Sequence, residues 1–64
     1  MPVPPERRLL SEHEAAQYLG VSYWTLRDLV FRGELPFVRI GRRKLVDRLD
    51  LDAYLDRSKI RHGA

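Results

Sequence analysis

Cysteine is missing from this sequence altogether, which removes disulfide staples and thiolate metal ligands and fits a reducing compartment. No apolar run resembles a signal peptide or approaches membrane-spanning length, so the expectation is a cytoplasmic protein with no membrane partner. Proline is scarce outside the first five residues, where it stands at positions 2, 4 and 5 and forbids a helix. Residues 1–8 therefore read as a flexible arm. His13 has no Cys, His or carboxylate partner at metal-site spacing, so it reads as an exposed helix residue and no metal or cofactor is expected. There is no nucleophile–base pairing and no phosphate loop, and a 64-residue chain buries only about 60% of the surface that its unfolded form exposes. That leaves room for one small core and none for a sheltered catalytic cavity, so an enzyme is not expected.

Acidic and basic residues nearly balance, and the net charge is +3. Its placement matters more than its size. Residues 1–32 and 47–64 are each neutral, whereas residues 33–46 hold Arg39, Arg42, Arg43 and Lys44 against Glu34 alone. The whole excess sits in one short stretch, which is the footprint of a phosphate-backbone binder or else a solvated hairpin tip.

The chain is organised around Ser22–Arg32, SYWTLRDLVFR. At helical spacing Leu26, Leu29 and Val30 share an apolar face, and Trp24, Arg27, Asp28 and Phe31 lie opposite. An aromatic and an arginine facing outward are not explained by that helix's own core. Ser22 suits the N-cap and Gly33 the residue after the C-cap. Ahead of it, Ser11-Glu12-His13-Glu14 has the form of a capping box and opens a helix running to Leu19, with Ala15, Ala16 and Leu19 inward. Gly20-Val21-Ser22 separates the two helices, and Val21 is expected to plug the corner. Two short helices joined by three residues that include glycine spell helix-turn-helix; the alternative is an ordinary helical hairpin.

Leu9 and Leu10 are expected to tuck onto the core, as a short extended segment or as a hydrophobic staple. Phe37–Ile40 and Arg43–Val46 alternate as two strands around a tight Gly41-Arg42 turn. An isolated hairpin is marginal, so Phe37, Ile40, Leu45 or Val46 must meet the helices. Asp47 is the expected N-cap of a third helix, about Arg48–Arg57, with Leu51, Tyr54 and Leu55 closing the core. Residues 58–64 read as a fraying tail. The expected architecture is mainly α with a small β-hairpin, α-α-β-β-α, a winged helix-turn-helix spanning residues 9–57.

The run from Leu10 to Asp56 resembles the small excisionase-type DNA-binding domains (Xis- and AlpA-like), relatives of the MerR winged helix-turn-helix. The opening LSEHEAAQYLGVS, the RGELP ending helix two, the VRIGRR of the wing and the closing DLDAYL carry the resemblance across nearly three-quarters of the chain. It implies double-stranded DNA as partner, with helix two in the major groove and the wing on the flanking backbone or minor groove. Stand-alone members of this size are often phage or mobile-element excisionases, which bend attachment-site DNA and steer an integrase towards excision in a bacterial or phage-infected cell. Others are small transcriptional regulators. The chain departs from the common pattern at Tyr23, Trp24 and Phe31, where relatives often carry polar or basic residues.

For base contacts the start of helix two nominates Tyr23, Trp24, Arg27 and Asp28. Arg27 suits a bidentate contact with guanine, the alternatives being a phosphate contact or a free side chain. Asp28 either accepts from cytosine or pairs with Arg32 at i, i+4. Trp24 meets DNA, the wing or a neighbouring protomer. Ser22, Tyr23 and Thr25 suit a phosphate at the positive end of the helix dipole, though Ser22 also serves as a plain cap. Arg39, Arg42, Arg43 and Lys44 are the wing contacts. With only about four to seven phosphate contacts available, one domain binds weakly, and specificity calls for self-association along DNA, a phage-type integrase, or both. A competing expectation is a protein-interaction module that uses the Trp24/Phe31 face.

Overall fold

Each helix of this protein begins at a residue chosen for its side-chain oxygen and two of the three end at a glycine. The computed structural model describes residues 7–60; the first six residues of the arm expected at 1–8 and the last four residues of the tail lie outside the described residues. A first strand, β1 (Leu9–Ser11), runs directly into α1 (Glu12–Leu19). The Ser11 hydroxyl accepts from the Glu14 amide at 3.1 Å, and the Glu14 carboxylate accepts from the Ser11 amide at 2.9 Å. The capping box is thus complete and two amides orphaned by the helix start are satisfied. Gly20 closes α1 at φ 73°. After the three-residue turn, α2 (Tyr23–Phe31) starts from Ser22, whose hydroxyl accepts from the Thr25 amide at 3.1 Å.

The end of α2 determines how the chain re-enters the core. Gly33 adopts φ 79°, its amide donates to the Val30 carbonyl at 3.1 Å, and the Glu34 amide donates to Leu29 at 2.9 Å. This paired ending needs a left-handed residue, which favours glycine. It turns the chain sharply enough to deliver Leu35 into the interior, where it is 1% exposed. Arg57 fastens the same turn by donating to the Glu34 carbonyl at 3.1 Å.

The hairpin consists of β2 (Val38–Ile40) and β3 (Arg43–Asp47), joined by Gly41-Arg42, with Gly41 at φ 61°. Its register pairs Val38 with Leu45, Arg39 with Lys44 and Ile40 with Arg43. β3 is also the central strand, because β1 pairs with its other edge and sets Leu10 opposite Val46. Asp47 then caps α3 (Arg48–Ser58) by accepting from the Leu49 amide at 2.9 Å. The result is a winged helix-turn-helix with three helices and a three-stranded antiparallel sheet.

The core consists of Leu10, Ala15, Ala16, Leu26, Leu29, Leu35, Val46 and Leu51, with Tyr18, Leu19, Val30 and Tyr54 packed around it. The Tyr18 hydroxyl donates to Asp52 at 2.6 Å and ties α1 to α3. That bond, and then burial, raise the phenol's pKa.

Four expectations are corrected or extended. The extended segment at Leu9–Leu10 becomes a full strand, so the order is β-α-α-β-β-α: the pairing partner of Leu10 lies 36 residues away, beyond the reach of local pattern. Val21 does not plug its corner and remains 38% exposed. Leu55 does not close the core and stays 37% exposed, because the face of α3 that meets the body is centred on Leu51 and Tyr54. Of the hairpin's apolar residues Val46 is buried and Leu45 half-buried, while Phe37 and Ile40 face outward.

Two measurements test this account. Leu35→Ala should cost about 2–5 kcal/mol, a large share of what a domain this small holds, and chemical denaturation should show a much lower midpoint. The second concerns pH. The Ser11 amide holds the Glu14 carboxyl below its usual range, with Arg7 adding to the effect and partial burial opposing it. A native pKa below the unfolded one contributes stability that is present above the unfolded value and is lost as pH falls through the native value. The gap in melting temperature between wild type and Glu14→Gln should therefore be widest near neutrality and close on acidification.

Candidate nucleic-acid interface

With Leu26 and Leu29 buried and Val30 packed against the core, the opposite side of α2 faces outward. Trp24 is 73% and Phe31 90% exposed, and Thr25, Arg27 and Asp28 are exposed as well. The Ser22 hydroxyl is committed to the cap, since besides accepting from the Thr25 amide it donates to the Thr25 hydroxyl at 2.9 Å. Asp28 takes its structural option: Arg32 meets it at 3.0 Å and also meets Glu34 at 2.9 Å.

Tyr23 behaves differently from its neighbours on the helix. It is half-buried and lies flat on His13 of α1, with ring centroids 4.0 Å apart and planes 7° from parallel. Trp24 meets its edge at 5.4 Å and 68°. The Arg27 guanidinium sits 5.7 Å from the centre of the same ring, within cation–π range. Glu12 approaches Arg27 Nε at 3.9 Å. Neither Glu12 nor His13 is identifiable from sequence as part of this surface, because only the crossing of α1 and α2 brings them to it.

On the wing, Arg39, Arg42, Arg43 and Lys44 are all exposed, and none forms an ion pair with a described residue. Arg39 and Lys44 are direct cross-strand partners, where like charges destabilise a sheet. Lys44 is steadied by the Phe37 ring, 5.2 Å from its ammonium. Elsewhere on the described surface several cations meet a carboxylate: Arg7 meets Glu14 at 2.9 Å, Arg8 meets Asp47 at 3.1 Å and Lys59 meets Asp56 at 3.3 Å, while Arg48 and Arg57, without an ion pair among the described residues, stand on an α3 that also carries Asp50, Asp52 and Asp56. The wing is where positive charge is left over. A cleft of about 230 Å³ between α2 and the hairpin brings Arg27 and Lys44 together, along with Glu12, Val30, Phe31 and Phe37.

Residues 9–59 match the family model described as a helix-turn-helix domain. The chain belongs to that family. Over 53 residues the chain is 42% identical to a protein of Saccharopolyspora erythraea named "Probable excisionase". The aligned stretch covers 83% of this chain and 54% of that protein, so the chain spans about half the length of the curated relative it matches. Among the described residues no group of three His, Cys, Asp or Glu side chains is placed to hold a metal ion, and no helix is long and apolar enough to cross a membrane.

The exposure of Phe31 yields a direct check on this division of labour. Phe31→Ser should change folding stability by no more than about 0.5 kcal/mol, measured by urea titration. A larger loss would place Phe31 in the fold's interior energetics and not on a working face.

Proposed function

We propose that this chain is a sequence-specific, architectural DNA-binding protein that acts as an excisionase, binding and bending attachment-site DNA to direct a phage-type integrase towards excision. The observation that carries the reading is the unneutralised cation cluster on the wing, set beside the exposed face of α2 in a helix-turn-helix domain. A duplex with one negative charge per roughly 1.7 Å supplies the missing counter-charge and relieves the Arg39–Lys44 repulsion. In this reading Arg39, Arg42, Arg43 and Lys44 grip phosphates. The amides at the start of α2, with Thr25, meet a further phosphate, and Arg27 reads a base edge.

The relative's name sets excision ahead of promoter control as the use of these contacts. Binding through so few phosphates is weak for a lone domain, so the reading includes side-by-side copies on DNA, with the exposed Trp24 and Phe31 available between them. It also includes a recombinase partner. The solvent-exposed aromatic pair is equally the observation that favours a polypeptide partner as the competing function.

Binding of the purified protein to random-sequence duplex and to the DNA flanking its own gene, titrated over salt, separates these readings. The Arg42→Ala, Arg43→Ala, Lys44→Ala triple variant should bind more weakly, with a log–log salt slope shallower by about 2.7, at about 0.9 per lost phosphate contact. Bending in a circular-permutation assay and a shift of integrase product ratio mark the excisionase, and their absence alongside tight binding marks a regulator. No affinity for either duplex at low salt refutes DNA binding and leaves the aromatic face as a protein-docking site.

A further inference from the structure

A long arginine reads a base well only if its fork is already aimed, because both its rotamer freedom and its hydration are lost on contact. Arg27 is not left to swing freely. The Tyr23 ring lies one helical turn before it and beneath its guanidinium, at 5.7 Å. Tyr23 is itself fixed from behind by the near-parallel His13 ring at 4.0 Å. Glu12, adjacent to His13 at the start of α1, faces Arg27 through Nε at 3.9 Å. The terminal Nη groups of Arg27 donate to no described residue, so the end of the fork is open while its stem is held. His13 and Glu12 come from α1, and both are placed by the Ser11 capping box that fixes where α1 begins.

We infer that Glu12, His13 and Tyr23 form a buttress that pre-orders Arg27, making the first helix a determinant of base specificity without touching DNA. His13 and Tyr23 stack as a two-ring platform beside the guanidinium, and Glu12 engages its Nε side, leaving the two Nη groups for a base edge. These are positioning residues. The inference rests on the proposed role of Arg27 in base reading, and the test below lets the two fail separately.

The test begins with selection of a preferred site from a randomised duplex pool by the wild-type protein. Fluorescence-anisotropy titrations then compare that duplex, each of its single-base-pair variants and an unselected random duplex, for wild type, Arg27→Ala, His13→Ala, His13→Phe, Tyr23→Leu and Glu12→Gln. Circular dichroism melts accompany each variant. The expected result is that Arg27→Ala abolishes discrimination at one base pair. His13→Ala and Tyr23→Leu should each reduce discrimination at that same base pair by about three- to ten-fold, the size expected when one long side chain must be ordered during binding and not before it. In His13→Ala, affinity for the random duplex and its salt slope should stay unchanged, and His13→Phe, which keeps a ring on the Tyr23 face, should restore discrimination. Glu12→Gln should give a smaller loss at the same position.

Other outcomes overturn the inference. If His13→Ala and Tyr23→Leu keep full discrimination while Arg27→Ala loses it, the buttress is refuted and the base-reading role stands. If they weaken binding equally on every duplex, or if His13→Phe fails to rescue, their role is merely structural. If Arg27→Ala leaves discrimination intact everywhere, the base-reading role fails and the buttress with it, although DNA binding stands. A wild-type protein without affinity for any duplex refutes the proposed function as well.

Discussion

Eight apolar side chains are shared among three helices, two short strands and one turn, and no element contributes more than two of them. Leu10 comes from β1, Ala15 and Ala16 from α1, Leu26 and Leu29 from α2, Leu35 from the turn after it, Val46 from β3 and Leu51 from α3. At about 1.5–3 kcal/mol for each fully buried leucine or valine, none of these elements is stable on its own. The fold exists only when all of them converge. The alanines of α1 are part of this condition, because their small side chains let α2 approach closely enough for Leu26 to be fully enclosed.

A core this economical determines what is left for function. Since α2 owes only Leu26 and Leu29 to the buried interior, most of its circumference is free to face a partner. The same sparing use applies to the hairpin, whose register turns Val46 inward beside Leu10 while its tip projects beyond the body. Sheet geometry thus carries Arg42 and Arg43 outward. It also sets Arg39 and Lys44 on one face, with Lys44 at the cleft beside α2. Electrostatics follow the same division. On the body of the domain three arginines find carboxylates at about 3 Å: Arg7 with Glu14, Arg8 with Asp47, Arg32 with Asp28 and Glu34. On the wing they find none among the described residues, and the repulsion between cross-strand neighbours is left for an external anion to offset.

Much of this was legible in the chain because the signals are local. A serine three residues ahead of a glutamate marked the start of α1, serine and glycine marked the two ends of α2, and Gly41-Arg42 between alternating β-formers marked the wing. Such features depend on backbone groups within four residues of one another, so composition and spacing suffice to read them. Leu35, lying among Gly33, Glu34 and Pro36, looked like part of a stop signal. It became core because the hydrogen-bonded ending of α2 folds the chain back on itself. Leu55 kept the right helical spacing and still remained at the surface, since the core that α3 meets takes only Leu51 fully and Tyr54 in part.

The sequence by itself determined where the helices and the hairpin begin and end, that the positive charge is concentrated on the wing, and that α2 carries more than its own core requires. Local hydrogen bonding and periodicity are sufficient causes for all three. Only the tertiary structure decided that Leu9–Ser11 becomes a strand on the edge of β3, that Leu35 is buried while Leu55 stays at the surface, and that His13 and Glu12 come to lie against Tyr23 and Arg27. Each of these depends on contacts between residues remote in sequence, whose partners are fixed by the packing of the small common core and not by any pattern along the chain.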